Sequence, residues 1–505
     1  MRVLTDEGAL ALWDFRAGTE VPSALYRVSL AHFLRRRTGL DGRARSAYAS
    51  KERTPVAQAI GRHEKKKECP VTEEFPELRV GVLGAGTVGS QVIRILEAQA
   101  DDFAARSGAR MRVAAVLVRN IDAPRTTSIA KELLTTDPAE AIDSMDLVVE
   151  LIGGIEPART YVLRALERGI SVVTGNKALL AAHGPELYAA AAASDADLYY
   201  EAAVAGAVPV VYGLRESLAG DRITKVMGIV NGTTNFILDS MATGGTTYEA
   251  ALAQAQRLGF AEADPSADVD GLDAAAKCSI LASLAFHTRV GIDDVEVEGI
   301  TRITAEDMSE AAYFGRAIKL LAIAERRVGE DGVEGVAMRV HPALVPLDNP
   351  LASVDGAFNA IVVEGENAGR LMFYGQGAGG APTASAVLSD LVAAAHHRAY
   401  GGHAPRESVY AHLPILDPGT NRTRYQIRMQ VEDCLGVLAD VAGIFARHGV
   451  SIQSVHQRDD KEPGACVIVA TTHLAREADL RAVVRALALS DAVREVTSAI
   501  RVEGE

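Results

Sequence analysis

A glycine-rich hexapeptide, Gly84–Gly89 (GAGTVG), constrains the fold more than any other stretch of this chain. The apolar run Leu78–Leu83 before it is typical of a buried strand, and Val88–Ala98 after it repeats apolar residues at helical spacing. Strand, GxGxxG and helix in this order form the dinucleotide-binding fingerprint. Its first glycine permits a tight turn, its second lets the backbone approach a pyrophosphate, and its third lets helix and strand pack closely. The sequence therefore predicts a nucleotide-binding βαβ unit here.

The alternation of strands and helices continues beyond this unit. Met111–Val118, Leu147–Ile152, Ile170–Thr174 and Leu198–Tyr200 have strand character, with helical patterns between them. This order predicts a doubly wound parallel sheet, with ligands at the carboxyl ends of the strands. Lys177 follows such an end, where a binding role and a solvated loop are equally good interpretations.

The residue after the second strand bears on cofactor choice. An NAD-selective site places an acidic residue there for the ribose hydroxyls, whereas this chain has Arg119, which suits a 2′-phosphate. A surface arginine is the alternative. We therefore expect NADP as the cofactor, with NAD possible.

The stretch Leu258–Lys277 holds five carboxylates and one cation. From Leu272 onward the run is free of glycine and proline, so it predicts a helix on which Asp273 and Lys277, four residues apart, share one face. Composition alone favours a solvated acidic loop. A lysine among acids at the mouth of an apolar helix, however, can be a positioned proton donor.

Three further stretches are candidates for ligand contact. Glu201–Val208 is rich in small residues and suits a site lining or a set of carbonyl ligands for a cation. Gly228–Asn235 is polar, so it either contacts a ligand or caps the following helix. Gly375–Thr383 is a second glycine-rich turn that opens a helix and suits a second approach to the cofactor.

The two ends of the chain differ from its middle. Residues 401–423 carry the glycines and prolines of a linker, and residues 424–505 follow the βαββαβ order of a ferredoxin-like domain. Residues 1–76 have too few apolar residues for a core of their own. Val71 resembles a GTG start preceded by a ribosome-binding sequence, so we expect residues 1–70 to be upstream sequence absent from the native protein. The alternative is a basic arm that docks on the acidic body of the protein.

Composition limits the class of protein. A net charge of −14 argues against nucleic acid as a partner. The four cysteines are scattered without zinc spacing, as is usual in a reducing cytosol, and no apolar run reaches the roughly 20 residues that span a bilayer. We expect a cytoplasmic protein without membrane partners.

Several motifs together resemble the homoserine dehydrogenase family, in its long bacterial type with a C-terminal ACT domain. The resemblance runs from about Leu78 to the C-terminus and is carried by these segments: GAGTVG at 84–89, TGNKALLA at 174–181, EAAVAGAVP at 201–209, GIVNGTTNFIL at 228–238, LGFAEADPSADVDGLDAAAK at 258–277 and GQGAGGAPTASAV at 375–387.

The resemblance implies three domains: a Rossmann-like NAD(P)-binding domain over 77–205, an α+β catalytic and dimerisation domain over 206–400, and an ACT domain over 424–505. It implies reversible reduction of L-aspartate 4-semialdehyde to L-homoserine, on the route to threonine, methionine and isoleucine. It also implies a monovalent cation, which we expect to be sodium, L-threonine as allosteric ligand, and a homodimer or homotetramer.

Residue roles follow from the same resemblance. Lys277 is implied as the proton donor. The implied substrate-binding residues are Glu262, Asp268, Asp273, Gly232 and Thr233. The implied cofactor contacts are Ala85, Gly86, Thr87, Val88, Ile152, Lys177 and Gly379, to which the pattern after the second strand adds Arg119. The implied cation ligands are Glu201, Val204, Gly206 and Val208. One departure is Phe260, where the family often has tyrosine.

Overall fold

The computed structural model describes residues 75–125, 127–460 and 464–504, together with the backbone of three short strands, Arg2–Asp6 (β1), Ala9–Asp14 (β2) and Thr19–Glu20 (β3). These three strands form an antiparallel sheet within the unit Met1–Glu73, and Glu74–Glu505 forms a second compact unit. The start expected at Val71 lies outside the described residues.

The first part of the large unit is a parallel sheet of six strands. They are Glu77–Leu83 (β4), Arg110–Leu117 (β5), Leu134–Thr135 (β6), Leu147–Glu150 (β7), Ser171–Thr174 (β8) and Leu198–Tyr199 (β9). Their order is β6-β5-β4-β7-β8-β9, so the direction of winding reverses at β4. Such a reversal leaves a crevice at the carboxyl ends of β4 and β7. The expected doubly wound fold is confirmed.

Helices cover both faces of this sheet and bury its strands. The helices are Thr87–Ala98, Ala100–Ser107, Pro138–Ile142, Ala158–Leu166 and Lys177–Ser194. A later helix, Gly380–Tyr400, also packs here, and its Val387 and Leu391 share one apolar cluster with Val80 and Val92.

A mixed sheet forms the second part. Its strands are Ile223–Ile229 (β10), Glu296–Val297 (β11), Arg316–Val328 (β12), Glu334–Pro346 (β13), Phe358–Gly365 (β14) and Gly369–Gln376 (β15). The order β15-β14-β10-β12-β13 is antiparallel throughout, and β11 pairs in parallel with β13. The accompanying helices are Gly232–Gly244, Tyr248–Leu258, Ser266–Val269, Leu272–Phe286 and Ala305–Tyr313.

The third part has the ferredoxin-like order that the sequence predicts. It comprises Arg422–Glu432 (β16), helix Val437–Arg447, Ile452–Asp459 (β17), Ala465–Thr472 (β18), the short Ala475–Arg476 (β19), helix Glu477–Ala488 and Val493–Val502 (β20). The sheet order is β20-β16-β18-β17. Sequence analysis missed that β20 also pairs in parallel with β13, which makes one continuous sheet of both parts.

Residues 401–416 lack long regular elements, as a linker would, yet they are tied to the protein. Arg289 donates two hydrogen bonds to Glu407, and the Ala411 amide donates to the carbonyl of His287 at 3.0 Å. Among the described helices, none combines the length and apolarity needed to cross a bilayer.

Candidate functional site

Two charged residues on the helix Leu272–Phe286 form the centre of the candidate site. The helix begins after Gly271, whose φ of 86° is in the left-handed region. Asp273 lies in the first turn, where the helix dipole favours a negative charge. Lys277, one turn later, donates from Nζ to Asp273 Oδ2 at 2.7 Å, and the two residues are only 8 % and 6 % exposed. The predicted pairing on one helical face is present.

A second lysine reaches the same carboxylate from the nucleotide-binding part. Lys177 is the first residue of the helix Lys177–Ser194, whose N-cap Asn176 accepts from the Leu179 amide at 3.1 Å. Its Nζ forms an ion pair with Asp273 Oδ1. One buried carboxylate therefore holds two ammonium groups, one on each of its oxygens.

Asn231 connects this carboxylate with the neighbouring acid. Its Nδ2 donates to Asp273 Oδ2 at 2.8 Å and to Asp268 Oδ1 at 2.7 Å. Its Oδ1 accepts from the Thr234 amide at 2.8 Å and so caps the helix Gly232–Gly244. Helix capping, one of the two alternatives for the polar loop, is thus present, and ligand contact stays a prediction. The same side chain also links two of the acids, a role that sequence analysis had not singled out.

The pKa values of the two lysines are shifted in opposite directions. Burial lowers the pKa of Lys277, and the attraction of Asp273 offsets this only in part. Burial also lowers the pKa of Lys177, but Asp273, Asp268 and Glu262 outweigh it and raise the pKa overall. Burial would raise the pKa of Asp273, yet the two lysines hold it well below its ordinary value. Lys277 is therefore the lysine that can exchange a proton more readily, and Lys177 remains charged.

The remaining predicted substrate residues lie around this centre. Glu262 is exposed and Asp268 is half-buried. Thr233 Oγ1 donates to the carbonyl of Phe260 at 2.7 Å, and the Phe260 ring packs against Phe236 with 4.7 Å between centroids. A Cβ at Gly232 would lie 2.7 Å from the carbonyl oxygen of Ala357, so only glycine fits there without a shift.

The glycine-rich turn after β4 has the geometry that a pyrophosphate requires. Gly84 has a φ of 103°, and a Cβ on Gly89 would lie 2.0 Å from the Gly84 carbonyl oxygen. A Cβ on Gly86, by contrast, would meet no atom within 4 Å. Gly86 is the N-cap of the helix that begins at Thr87, so free amides face this open space. Ala85 and Val88 complete the turn.

The other predicted cofactor residues lie on nearby loops. Gly379, with a φ of 117°, is the N-cap of the helix Gly380–Tyr400, and a Cβ on Gly380 would lie 3.0 Å from the Thr87 carbonyl oxygen. The second glycine-rich turn therefore touches the first. Ile152 follows β7 and donates its amide to Glu150 Oε1 at 2.7 Å, and Arg119 is exposed at the end of β5.

The loop predicted to hold a cation offers backbone rather than carboxylate oxygens. The Glu201 carboxylate already accepts from the amides of Val211 at 3.0 Å and Tyr212 at 2.7 Å, and burial raises its pKa to about 7. Gly206 has a φ of 58°. Within the described residues no cluster of three or more His, Cys, Asp or Glu could bind a metal ion. Carbonyl oxygens of the kind that the resemblance implies, with Val204 and Val208, remain the fitting donors.

Comparison with known families gives three matches along the chain. The model described as "Homoserine dehydrogenase, NAD binding domain" matches residues 84–201. The model described as "Homoserine dehydrogenase" matches residues 209–392, and the ACT domain model matches residues 425–488.

Individual relatives match over almost their whole length. The homoserine dehydrogenase of Corynebacterium glutamicum is 53% identical over 426 residues, which cover 84% of this chain and 95% of the relative. That of Mycobacterium tuberculosis is 54% identical over 431 residues, covering 84% and 97%.

Two solved structures extend the comparison. The crystal structure of a homoserine dehydrogenase from Thiobacillus denitrificans has a TM-score of 0.79 and 40% identity, covering 85% of this chain and 98% of that one. A hyperthermophilic archaeal homoserine dehydrogenase in complex with NADPH has a TM-score of 0.54 and 28% identity, covering 63% and 97%.

Proposed function

The chain belongs to the homoserine dehydrogenase family, and from this premise we propose that it reversibly reduces L-aspartate 4-semialdehyde to L-homoserine with a nicotinamide cofactor, on the route to threonine, methionine and isoleucine. It is an oxidoreductase with a Rossmann-like nucleotide-binding domain and an ACT domain. The observation that carries the proposed mechanism is the buried Asp273 carboxylate, which pairs with both Lys277 and Lys177.

Lys277 is the proposed acid and base. The hydride exchanged at the terminal carbon of the substrate would be supplied or accepted by the bound nicotinamide. During reduction the substrate oxygen needs a proton, which Lys277 Nζ gives, and during oxidation Lys277 takes it back. Burial lowers the pKa of Lys277 from its ordinary value, which makes its proton easier to give up. Lys177 keeps its charge and fixes the other oxygen of Asp273.

The acidic side chains around the two lysines have different proposed roles. Both oxygens of Asp273 already pair with lysines, so its role is to position them beside the substrate. Glu262 is exposed and Asp268 is half-buried, and we assign the ammonium group of the substrate to these two. We assign Gly232 and Thr233 to the adjoining wall of the same substrate site.

We assign NADP as the preferred cofactor, bound at Gly86, Thr87, Ile152 and Gly379. Arg119 supports this choice because it is exposed at the end of β5, where the 2′-phosphate would lie. The match to an archaeal relative whose structure contains NADPH also supports it.

A monovalent cation, which we take to be sodium, fits the loop from Glu201 to Val208. The backbone carbonyls of Glu201, Val204, Gly206 and Val208 would hold it, as oxygen donors suit a hard cation. Because Gly206 lies against the second glycine-rich turn, with a built Cβ only 2.6 Å from Gly377, the cation would brace the cofactor side of the site.

The ACT domain supports feedback by L-threonine, and we propose that the enzyme is a homodimer or homotetramer. Its strand β20 extends the catalytic sheet, and Arg501 on that strand donates to Glu298 of the catalytic domain at 2.6 Å. A ligand bound to the ACT domain would therefore act on a structure joined to the substrate domain. Titrating threonine into the enzyme assay tests this: unchanged activity at saturating threonine would contradict it.

The activity itself is tested by following NADPH absorbance with aspartate semialdehyde, and NADP⁺ reduction with homoserine. We expect turnover by the wild type and a loss of most kcat in Lys277→Ala, with cofactor binding retained. A ligand sensor without activity is the alternative from another class, and no turnover in either direction would favour it.

A dehydrogenase that forms a thioester is disfavoured. That chemistry needs a reactive thiolate. Cys278 is 2 % exposed, and burial raises the pKa of its thiol to about 12.

A further inference from the structure

The carbonyl oxygen of Val230 is a second anchor for Lys277. Lys277 Nζ donates to it at 2.7 Å, in addition to its bond with Asp273. An ammonium group has three N–H bonds. Two of those of Lys277 are thus fixed by protein oxygens, and fixing two directions also fixes the third, which is left for a substrate oxygen.

The same carbonyl accepts a hydrogen bond from a residue far away in the sequence. Asn359 Nδ2 donates to Val230 O at 3.0 Å. The two residues are brought together by the pairing of β10 with β14, in which Ile229 lies opposite Ala360. A carbonyl oxygen has two lone pairs, and here Lys277 and Asn359 each use one.

Asn359 is fully buried against the cofactor side of the site. Its exposed fraction is 0 %, and a Cβ on Gly377 would overlap its amide group at 2.1–2.3 Å. The asparagine is therefore held between the second glycine-rich turn and the carbonyl that anchors the lysine. It does not reach Lys277 itself, so any effect on the lysine passes through Val230.

We propose that Asn359 is a positioning residue for proton transfer: by holding the Val230 carbonyl, it aims the remaining N–H of Lys277 at the substrate oxygen. This inference rests on the proposed role of Lys277 as proton donor. Without the asparagine donor, the carbonyl keeps only the lysine as partner, and the peptide can rotate with it. The lysine would then sample directions that do not reach the substrate.

The test is a double-mutant cycle with Asn359→Ala and Lys277→Ala in the full-length enzyme. We expect Asn359→Ala alone to lower kcat about tenfold, the scale of a misdirected proton-transfer group, while the KM for NADPH changes less than about twofold. In the Lys277→Ala background the same substitution should change kcat less than about twofold, because there is no longer a lysine to aim.

Asn349 provides a matched control outside the stretches assigned to the site. It is also buried, at 8 % exposed, and its Nδ2 also donates to a backbone carbonyl, that of Gly504 at 3.1 Å. Asn349→Ala should lower the melting temperature as Asn359→Ala does, yet leave kcat within about twofold of the wild type.

The outcomes separate the inference from the proposed function. An equal loss of kcat from Asn359→Ala in both backgrounds would overturn the positioning role while leaving Lys277 as donor. Near-normal turnover of Lys277→Ala would instead remove the donor role and the inference with it. If Asn359→Ala does not fold, Asn359→Leu keeps the side-chain volume, removes the donor and answers the same question.

Discussion

Asp273→Asn tests the proposed site most directly, because one buried carboxylate balances two lysines. The substitution keeps the shape of the side chain and removes its charge. Breaking a buried ion pair from one side costs about 3–5 kcal/mol, since the other charge stays buried without compensation. Lys277 is buried, whereas the Lys177 side chain is 44% exposed and can turn to water. We therefore expect the free energy of unfolding to fall by an amount near the lower end of this range, about 3 kcal/mol. A protein with a typical free energy of unfolding of about 5–15 kcal/mol still folds after such a loss.

The effect on activity follows from the pKa of Lys277. Burial already lowers this pKa, and Asp273 is the main opposing influence. Without Asp273 the pKa falls further, so the ammonium form that gives the proton is populated only at lower pH. At neutral pH kcat for reduction should fall by about 10²–10⁴, the usual range for loss of a general acid, and the alkaline limb of the pH profile should move to lower pH.

The pH dependence of stability should also become stronger. In the variant, the pKa of Lys277 in the folded chain lies further below its value in the unfolded chain than it does in the wild type. Between these two values the unfolded chain binds more protons, so the free energy of unfolding should rise with pH there. In the wild type, the lowered pKa of Asp273 contributes stability above the ordinary aspartate pKa, and this is lost as pH falls through the folded value.

Steady-state pH profiles and urea unfolding at several pH values provide the measurements. Asp264→Asn is the matched control, because Asp264 is an exposed carboxylate of the same stretch that accepts from Ser266 and contacts neither lysine. The control should keep the wild-type pH profile. An Asp273→Asn enzyme with wild-type kcat and an unmoved profile would refute the assigned roles.

Four further substitutions probe other parts of the molecule. Gly86→Val fills the open space at the cofactor turn, so NADPH affinity measured by fluorescence should fall at least about tenfold with an unchanged melting temperature. Arg119→Ser should lower kcat/KM for NADPH relative to NADH by about tenfold, and an unchanged ratio would contradict the NADP preference. Phe260→Tyr should change kcat less than about twofold because the ring lies at the exposed rim against Phe236. Glu503→Gln should lower the free energy of unfolding by about 2 kcal/mol in urea titration, because the Glu503 carboxylate accepts from the buried Arg339 at 3.0 Å.

Local sequence patterns were sufficient to predict the helices and strands that carry the site. The start of the helix over 272–286 was predicted where the structure shows it, because an apolar run without glycine or proline begins after Gly271. The spacing of Asp273 and Lys277 then required them to share a face. The glycine turn at 84–89 was equally predictable. The structure shows a positive φ at Gly84 and a close approach of Gly89 to Gly84, whereas the position of Gly86 faces open space.

Long-range pairings could not be predicted from the same patterns. Asn359 lies in a stretch that showed no chemistry in the sequence, and it gains its partner only because β14 lies beside β10. Asn231 was part of a recognised polar loop, but its bonds to Asp268 and Asp273 cross 37 and 42 residues. Sequence spacing also could not decide whether burial or the neighbouring acids controls the pKa of Lys277.

The junction between the catalytic sheet and the ACT domain has a physical consequence for regulation. Arg339 on β13 is 4 % exposed and donates both to Glu325 of its own sheet at 2.8 Å and to Glu503 just after β20 at 3.0 Å. Arg501 on β20 in turn donates to Glu298 at 2.6 Å. Separating the domains would remove one carboxylate partner from each of these two buried arginines, which is costly. The ACT domain is therefore joined to the catalytic domain through one sheet, and the proposed allosteric ligand would act by shifting this shared sheet rather than by releasing a tethered domain.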